Sequence, residues 1–449
     1  MPLHIRCTPE LIAIPALNQP QVAYLHLTIA AAGTTGLPLH MTIVADASRS
    51  MRIPILNEQQ FRDVVRGSGA HEVLVDGVPV WQLNNPLSSE QRSRYRSPID
   101  YTTHALHSLI ERLDHNDRLG LIACASDAIV LASGIPGSRR AELVAAIARL
   151  PALRLGETTN LAQGLQLALA QFVTADDTTV RRIVLITDGF TTDQTLCLTL
   201  AREAAARGIS LSTIGLGGSF EEHLLTQLAD LSGGRASFVY DAAEIPAIIA
   251  AELESARQTT AQALTLQCNL PQTVSVRRIT RLTPTLTVLN PLSTEHGRRL
   301  TIHLGDLRHG EEVRLLVEFL VAPGAAGQQR RLARLQLNSG QSHITHDVVA
   351  HYSPNAINPP PELLPIISRA TIATLQQRAD QARQQGDYAT AVQTLRQLAN
   401  RLYDLAEPDL AALAMAEATT LAHNHQSSPS AKELTYATRR LGTQQGWRS

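Results

Sequence analysis

Between residues 38 and 258, short apolar runs alternate with amphipathic stretches, and this alternation limits the possible folds more than any other feature of the sequence. Runs such as LHMTIVAD, RLGLIACAS and RRIVLITDG have the length of buried strands, whereas DYTTHALHSLIERL and NLAQGLQLALAQFV have apolar positions at helical spacing. Strands that alternate with helices are typical of a doubly wound α/β domain with a mostly parallel sheet. The sequence predicts such a domain over residues 38–258.

The segments on either side of this α/β region have a different pattern. Residues 1–37 and 259–353 contain short runs rich in Thr, Val, Leu and Arg, broken by Pro, Asn and Gly, which favour β-strands. The amino-terminal segment is too short to close a core alone. We therefore expect it to pair with the later segment in one β-sandwich into which the α/β domain is inserted. The alternative is two unrelated β appendages, one at each end.

A proline-rich linker at residues 354–365 precedes a carboxyl-terminal region, residues 366–449, that is rich in Ala, Leu, Gln and Arg. Its apolar spacing predicts an all-helical tail. Gly386, Asp387 and Tyr388 mark a turn between two helices, as in a tetratricopeptide-type hairpin. A second clear repeat is not visible, so a plain helical bundle is an equal alternative.

Length and composition restrict the class of protein. The 449 residues are too many for one ordinary core, and a net charge of -1 gives no field that would attract nucleic acid. No stretch approaches the roughly 20 consecutive apolar residues that span a bilayer, so we expect a cytoplasmic protein with no membrane span. The four cysteines are far apart and lack CxxC spacing, which favours buried free thiols over disulfides or zinc ligands.

Three oxygen-bearing side chains follow the first strand of the predicted sheet. The run LHMTIVAD ends in Asp46, and Ser48 and Ser50 come two and four residues later. In open α/β sheets, sites are built at the carboxyl ends of the strands. A tight loop with this spacing can aim all three oxygens at one point, which suits a hard cation such as Mg²⁺. Asp and Ser at strand ends also cap turns, so the pattern alone is weak.

Two later segments extend this pattern to a family resemblance. Thr158 and Thr159 precede an amphipathic helix, and Asp188 lies in a Thr-Asp-Gly segment directly after the run IVLI. Together with the first loop, they resemble the metal-ion-dependent adhesion site (MIDAS) of von Willebrand factor A (VWA) domains. Thr159 is the better match because it precedes Asn-Leu as in the family pattern, although a slip to Thr158 stays open.

The resemblance implies a ligand set and a mode of binding. The serines would bind Mg²⁺, or else Ca²⁺ or Mn²⁺, directly, and the aspartates largely through water. Few carboxylates in direct contact leave the metal with excess positive charge and an open position, which favours an incoming Asp or Glu from a partner protein. The residues that the resemblance assigns to the metal are Asp46, Ser48, Ser50, Thr159 and Asp188.

The sequence departs from the family pattern at two places. Arg49 stands where the family usually has Gly, and we expect its guanidinium to point outward towards an acidic ligand. An insertion at residues 52–100 separates the first loop from the next helix, and its segment HEVLVDGVPVWQL predicts a β-hairpin. Phe61, Trp81 and Tyr95 are candidate anchors for a partner. Alternatively, these aromatic residues form a small core of the insertion.

The β segments, one of which contains HLGDLRHGEEVRLLVEF, flank the α/β domain, and the Ala-rich helical end contains AKELTYATRRL. Over nearly its whole length the chain therefore resembles bacterial soluble proteins labelled YfbK-like or calcium-activated chloride channel-like. The channel label does not carry over, because no segment predicts a membrane span. What the resemblance implies is a scaffold or adaptor near MoxR-type ATPases, or near kinases, phosphatases and phosphopeptide-binding proteins of signalling systems.

Three functions fit these features, and a metal-dependent protein-binding module fits best. A structural or assembly protein with a vestigial metal site is the alternative. A Mg²⁺-dependent hydrolase is less favoured, because the sequence contains no GxxxxGK[ST], HExxH or GxSxG motif, and we expect no enzyme activity. His343 and His346 are candidate ligands for a second metal, but a strand places them on opposite faces, which favours solvated residues instead.

Overall fold

The structure is a computed structural model, in which the chain forms two units. One unit contains residues 35–263, and the other contains residues 1–34 and 264–449. The residues that the structure describes are 3–33, 36–54, 59, 62–63, 66, 69–75, 78–84, 95–156, 158–172, 179–189, 191, 193–217, 221–239, 241–294, 296–340, 342–424 and 430–442.

Strands and helices within these residues are numbered in chain order. The strands are β1 (Leu3–Thr8), β2 (Ile12–Pro15), β3 (Gln21–Ala31), β4 (Leu39–Asp46), β5 (Ala70–Val75), β6 (Val78–Leu83), β7 (Arg118–Cys124), β8 (Ala128–Pro136), β9 (Val180–Thr187), β10 (Ser210–Leu216), β11 (Ala236–Val239), β12 (Thr259–Asn269), β13 (Val274–Thr283), β14 (Thr287–Leu289), β15 (Leu292–Thr294), β16 (Arg299–Arg308), β17 (Glu312–Val321), β18 (Gln329–Ser339) and β19 (Ser342–Ser353). The helices are α1 (Pro98–Arg112), α2 (Arg140–Arg149), α3 (Leu161–Ala170), α4 (Gln194–Ala206), α5 (Glu222–Ser232), α6 (Ile245–Arg257), α7 (Leu364–Gln384), α8 (Tyr388–Asp404), α9 (Pro408–Asn424) and α10 (Ser430–Arg440).

The first unit is built on a six-stranded sheet with the order β11-β10-β9-β4-β7-β8. All neighbours are parallel except β8, which pairs antiparallel with β7. Every residue of the central strand β4 is buried, as expected for a parallel strand that helices cover on both faces. The predicted doubly wound, mostly parallel sheet is confirmed.

Helix α3 lies directly against the centre of this sheet. A Cβ atom at Gly164 would come within 2.9 Å of Val44 Cγ1 and 3.1 Å of Cys124 Cβ, so only glycine allows this close approach to β4 and β7. The amino-terminal end of α3 is fixed by Asn160, whose Oδ1 accepts a hydrogen bond from Gln163 N at 3.0 Å. This packing holds the loop before α3 at the carboxyl-terminal edge of β4.

The second unit contains two sheets, with the orders β1-β3-β17-β13-β14 and β15-β16-β12-β18-β19-β2. Strand β3 pairs antiparallel with β17, and β2 pairs parallel with β19. Strands of the amino-terminal segment therefore pair with the later β segment in both sheets, as predicted. In β19, exposed and less exposed residues alternate, which places His343 and His346 on opposite faces.

The helical region shares an apolar core with strands of its own unit. Ile372, Leu398 and Leu421 of the helices belong to one buried cluster with Leu282 and Leu316 of the sheets. Between α7 and α8, Gly386 adopts a φ of +76° and Asp387 Oδ1 accepts a hydrogen bond from Thr390 N at 3.1 Å. The choice between a tetratricopeptide-type hairpin and a plain bundle stays open, and the predicted domain boundaries stay predictions.

Within the described part of the chain, none of the helices combines the length and the apolar character needed to cross a membrane.

All four cysteines are buried and free, which confirms the expectation from their spacing. Burial raises the pKa of Cys7 to about 11 and the pKa values of Cys197 and Cys268 to about 12. Burial also raises the pKa of Cys124 well above its usual value. Because the thiolate is the reactive form, the native protein holds its cysteines in an unreactive state.

We therefore expect the native protein to react negligibly with the thiol reagent DTNB at mildly alkaline pH. In guanidinium chloride all four cysteines become accessible and should react. The absorbance of the released thiolate measures both values. A fast reaction of one or more thiols in the native protein would contradict the burial described above.

Candidate metal centre

The centre begins at the last residue of β4, where Asp46 is completely buried. Asp46 Oδ1 accepts a hydrogen bond from Ser48 N at 2.8 Å, and Asp46 Oδ2 accepts one from Thr187 Oγ1 at 2.6 Å. The backbone beyond the strand is held by Ala47 N, which donates to Cys124 O at 2.7 Å. The carboxylate therefore has a fixed orientation at the edge of the sheet.

The two serines of the first loop are also buried and lie against each other. Ser48 Oγ and Ser50 Oγ are 3.0 Å apart, within hydrogen-bonding distance. Ser50 Oγ donates to Asp188 Oδ1 at 2.8 Å, which joins the first loop to the residue that follows β9. The loop ends in a short 3₁₀ turn, Ser50–Arg52.

Of the two candidate threonines, the structure brings Thr159 to the centre. Thr159 is buried, and its Oγ1 lies 3.5 Å from Asp46 Oδ2 as a hydrogen-bond donor. Thr158 is exposed, and its Oγ1 lies 2.7 Å from Ser126 Oγ, on the turn after β7. Asn160 N donates to Ala125 O at 2.7 Å and fixes this orientation. Binding of a metal by Thr159 stays a prediction.

The donor set suits a hard divalent cation. It consists of two carboxylates and three hydroxyls, all of them oxygen donors of the kind that Mg²⁺, Ca²⁺ and Mn²⁺ prefer. Ser50 and Thr159 donate their hydroxyl protons to Asp188 and Asp46. A hydroxyl that donates its proton in this way keeps its lone pairs available for a cation. The residues therefore fit a metal that is held mainly by hydroxyls.

This composition distinguishes the centre from a cluster of acidic or imidazole ligands. Among the described residues, no group of three or more His, Cys, Asp or Glu side chains is arranged to hold a metal ion. Asp46 and Asp188 contribute carboxylates to the candidate centre, and hydroxyl oxygens complete it.

Sequence reasoning missed three residues that shape the centre. Thr187 fixes the Asp46 carboxylate, and Thr191 Oγ1 accepts a hydrogen bond from Leu161 N at 3.3 Å. Arg52 Nη2 donates to the carbonyl oxygens of Ala47 and Leu153. A signal existed for Thr187, because it precedes Asp188 at the end of a strand that pairs with β4. Nothing local marks the other two residues.

The predicted partner-binding residues have different environments. Arg49 is exposed on the first loop, between the two buried serines. Trp81 is 53% exposed on β6, which pairs with β5 in a separate two-stranded sheet, and Tyr95 is half-buried. The predicted hairpin strands are thus present, while Phe61 lies outside the described residues. Contact of these side chains with a partner stays a prediction.

Comparison with known proteins identifies the family of the α/β unit. Residues 92–251 match the family model of the von Willebrand factor type A domain, and residues 361–444 match the model named Sll0103-like, C-terminal alpha-helical domain. The chain therefore contains a VWA domain, as its sequence motifs predicted. The VWA match includes Thr159 and Asp188, whereas the loop that carries Asp46 precedes it.

Two curated relatives come from bacteria. The uncharacterized protein YfbK from Escherichia coli is 27% identical over 224 residues, which are 48% of this chain and 37% of YfbK. The uncharacterized protein sll0103 from Synechocystis is 26% identical over 263 residues, which are 56% of this chain and 60% of that protein. The similarity thus spans less than two thirds of the length of either relative.

Two solved structures are similar to nearly the entire chain. A von Willebrand factor type A protein from Catenulispora acidiphila has a TM-score of 0.71 at 16% identity and covers 98% of this chain and 96% of its own. The ArnB paralog VWA2 from Sulfolobus acidocaldarius has a TM-score of 0.55 at 14% identity, with 99% of both chains covered. At these identities the likeness concerns the fold alone.

Proposed function

We propose that this protein is a metal-dependent protein-binding scaffold, in which an Asp or Glu of a partner protein completes the shell of a divalent cation. VWA domains often act as metal-dependent protein-interaction modules, which supports the proposal. We propose Mg²⁺ as the ion, with Ca²⁺ or Mn²⁺ as alternatives. The residues that would hold it are Asp46, Ser48, Ser50, Thr159 and Asp188.

The observation that carries this proposal is the direction of the hydrogen bonds at the centre. Ser50 and Thr159 donate to the carboxylates of Asp188 and Asp46, so hydroxyl lone pairs rather than carboxylate charges are available to the ion. A cation held mainly by neutral oxygens keeps most of its positive charge. Such an ion attracts an external carboxylate, whereas a site saturated with its own carboxylates would not.

The biological setting is proposed from the family resemblance. The partner would belong to a bacterial signalling or assembly system, such as a MoxR-type ATPase or a kinase, phosphatase or phosphopeptide-binding protein. The helical region, residues 366–449, would recruit a second protein. A cytoplasmic location and a lack of enzyme activity stay part of the proposal.

Capture by the immobilised full chain tests the proposal. The wild type, Thr159→Ala and Thr158→Ala are each incubated with native lysate of the source organism in Mg²⁺ or in EDTA. Thr158 is the matched control, because it is the adjacent threonine and its hydroxyl contacts Ser126 rather than Asp46. We expect a set of proteins that the wild type and Thr158→Ala retain in Mg²⁺, that EDTA releases, and that Thr159→Ala fails to retain.

Two results would count against the proposal. Retention of the same proteins in EDTA and by Thr159→Ala would mean that the metal centre is vestigial and that other surfaces mediate assembly. Turnover of a phosphoester by the purified chain in Mg²⁺, lost in Thr159→Ala, would instead make the centre catalytic.

A further inference from the structure

Three arginines, Arg49, Arg52 and Arg154, border the candidate metal centre, and we call them the arginine rim. Arg49 is exposed on the loop between the two candidate serine ligands. Arg52 follows Ser50 by two residues and is half-buried. Arg154 is exposed on the segment that leads to Thr159. The rim therefore lies on two of the loops that carry the candidate ligands.

One backbone oxygen brings two of these guanidinium groups together. Arg52 Nη2 and Arg154 Nη1 both donate to Leu153 O, the latter at 2.8 Å. Arg154 Nη1 also donates to Pro151 O at 3.1 Å. Because two like charges at one neutral oxygen repel each other, an anion that bridges them would be favoured.

Within the described residues, Arg154 contacts the two carbonyl oxygens and no carboxylate. Asp127, an exposed acid on the turn after β7, has hydrogen-bond partners other than Arg154. Asp127 Oδ1 accepts hydrogen bonds from Gln163 Nε2 at 2.7 Å and from Ala128 N at 2.8 Å. Arg154 thus keeps guanidinium N–H groups for a carboxylate that comes from outside the chain.

We propose that the arginine rim selects a polyacidic partner segment, with one carboxylate for the metal and at least one more for the rim. The inference rests on the proposed function, since it assigns the first carboxylate to the metal. Guanidinium groups bind carboxylates through two parallel hydrogen bonds, which adds geometric selection to charge. A carboxylate that is bound to the metal has fewer lone pairs left for a guanidinium group, so we expect a second adjacent acid to add affinity.

Two labelled peptides of equal length test this selection on the full chain. One carries a single Glu in a Gly/Ser background, and the other carries three consecutive Glu residues in the same background. Fluorescence anisotropy gives the Kd of each peptide in Mn²⁺ at low salt. We expect the triacidic peptide to bind about tenfold or more tighter than the monoacidic peptide, and its affinity to fall more steeply as salt is added.

The variants are Arg49→Gln together with Arg154→Gln, and Arg140→Gln as the matched control. Arg140 is also exposed and also donates to a backbone oxygen, Glu111 O at 3.4 Å. It follows β8, whose last residue pairs with the first residue of β7, so it lies at the opposite edge of the sheet. Arg52 is left intact because it joins two backbone segments.

The double variant should reduce the preference for the triacidic peptide to about threefold or less, while Arg140→Gln preserves it. The affinity of the double variant for Mn²⁺ alone, measured by calorimetry, should be unchanged or higher, because the variant lacks two positive charges near the ion. A preference that survives in the double variant, or equal binding of both peptides to a wild type that binds Mn²⁺, overturns the inference alone. Failure of the wild type to bind Mn²⁺ overturns the proposed function as well.

Discussion

Replacement of Glu252 by alanine is expected to lower the free energy of unfolding by about 3–5 kcal/mol. Glu252 on α6 and Arg182 on β9 form an ion pair, with Nη1 and Oε2 3.3 Å apart and side chains only 7% and 6% exposed. Ser212 Oγ donates to the same Oε2 at 3.0 Å. Loss of the carboxylate leaves a guanidinium charge buried against the central sheet without this partner, which is the main cost. Urea denaturation measures the change.

The ion pair between Arg139 and Glu142 provides the matched control, because its side chains are 57% and 47% exposed. We expect Glu142→Ala to change stability by no more than about 1 kcal/mol, since water already screens this pair. The double variant Arg182→Met, Glu252→Leu should be far less destabilised than Glu252→Ala, because it removes both charges together. Similar losses for Glu252→Ala and Glu142→Ala would show that the buried charge carries no special cost.

The parallel sheet could be predicted because its signal is local. A run such as LHMTIVAD is apolar on both faces, which is what a central parallel strand requires, and all of β4 is buried. The strand order around the β-sandwich has no such signal. The pairing of β2 with β19 joins residues more than 300 positions apart, Ile12 with Ala350, and no local pattern specifies the partner.

In the helical region, the sequence predicts which helix face is buried but not what covers it. Apolar residues at helical spacing predicted that its helices have a buried face, and Leu398 and Leu421 are indeed buried. The same spacing says nothing about what covers that face. In the structure this face packs in one buried cluster with Leu282 and Leu316 of the β-sheets, which precede the proline-rich linker in the chain.

The candidate metal centre also has a part that the sequence predicts and a part that it does not. Asp46, Ser48 and Ser50 are close in sequence, so their spacing alone predicted that their oxygens converge, and the serine hydroxyls lie 3.0 Å apart. Thr158 and Thr159 could not be distinguished with certainty, because the choice depends on Ser126, which is 32 residues from Thr158 in the chain. The arginine rim depends on a contact between Arg52 and Leu153, which are 101 residues apart.

The second large effect is expected at Asp46, whose replacement by asparagine should weaken Mn²⁺ and Mg²⁺ binding about 10–100-fold. The change preserves size but removes the negative charge and one of two acceptor oxygens. Asp46 uses both oxygens, for Ser48 N on one side and for Thr187 and Thr159 on the other. An amide places its N–H₂ group against one of these donors, so it disturbs the orientation of the hydroxyls that would face the ion.

Asp127→Asn is the control for Asp46→Asn, because Asp127 follows β7 at the same edge of the sheet but is exposed and contacts Gln163. We expect its metal affinity, measured by calorimetry or by the Mn²⁺ electron paramagnetic resonance signal, to stay within about twofold of the wild type. Urea denaturation in EDTA separates loss of the site from loss of the fold. If folded Asp46→Asn binds Mn²⁺ as tightly as Asp127→Asn does, the metal does not lie at the end of β4. The cation would then have to be sought at another group of oxygens, and the hydrogen bonds from Ser50 and Thr159 would serve only to join three loops.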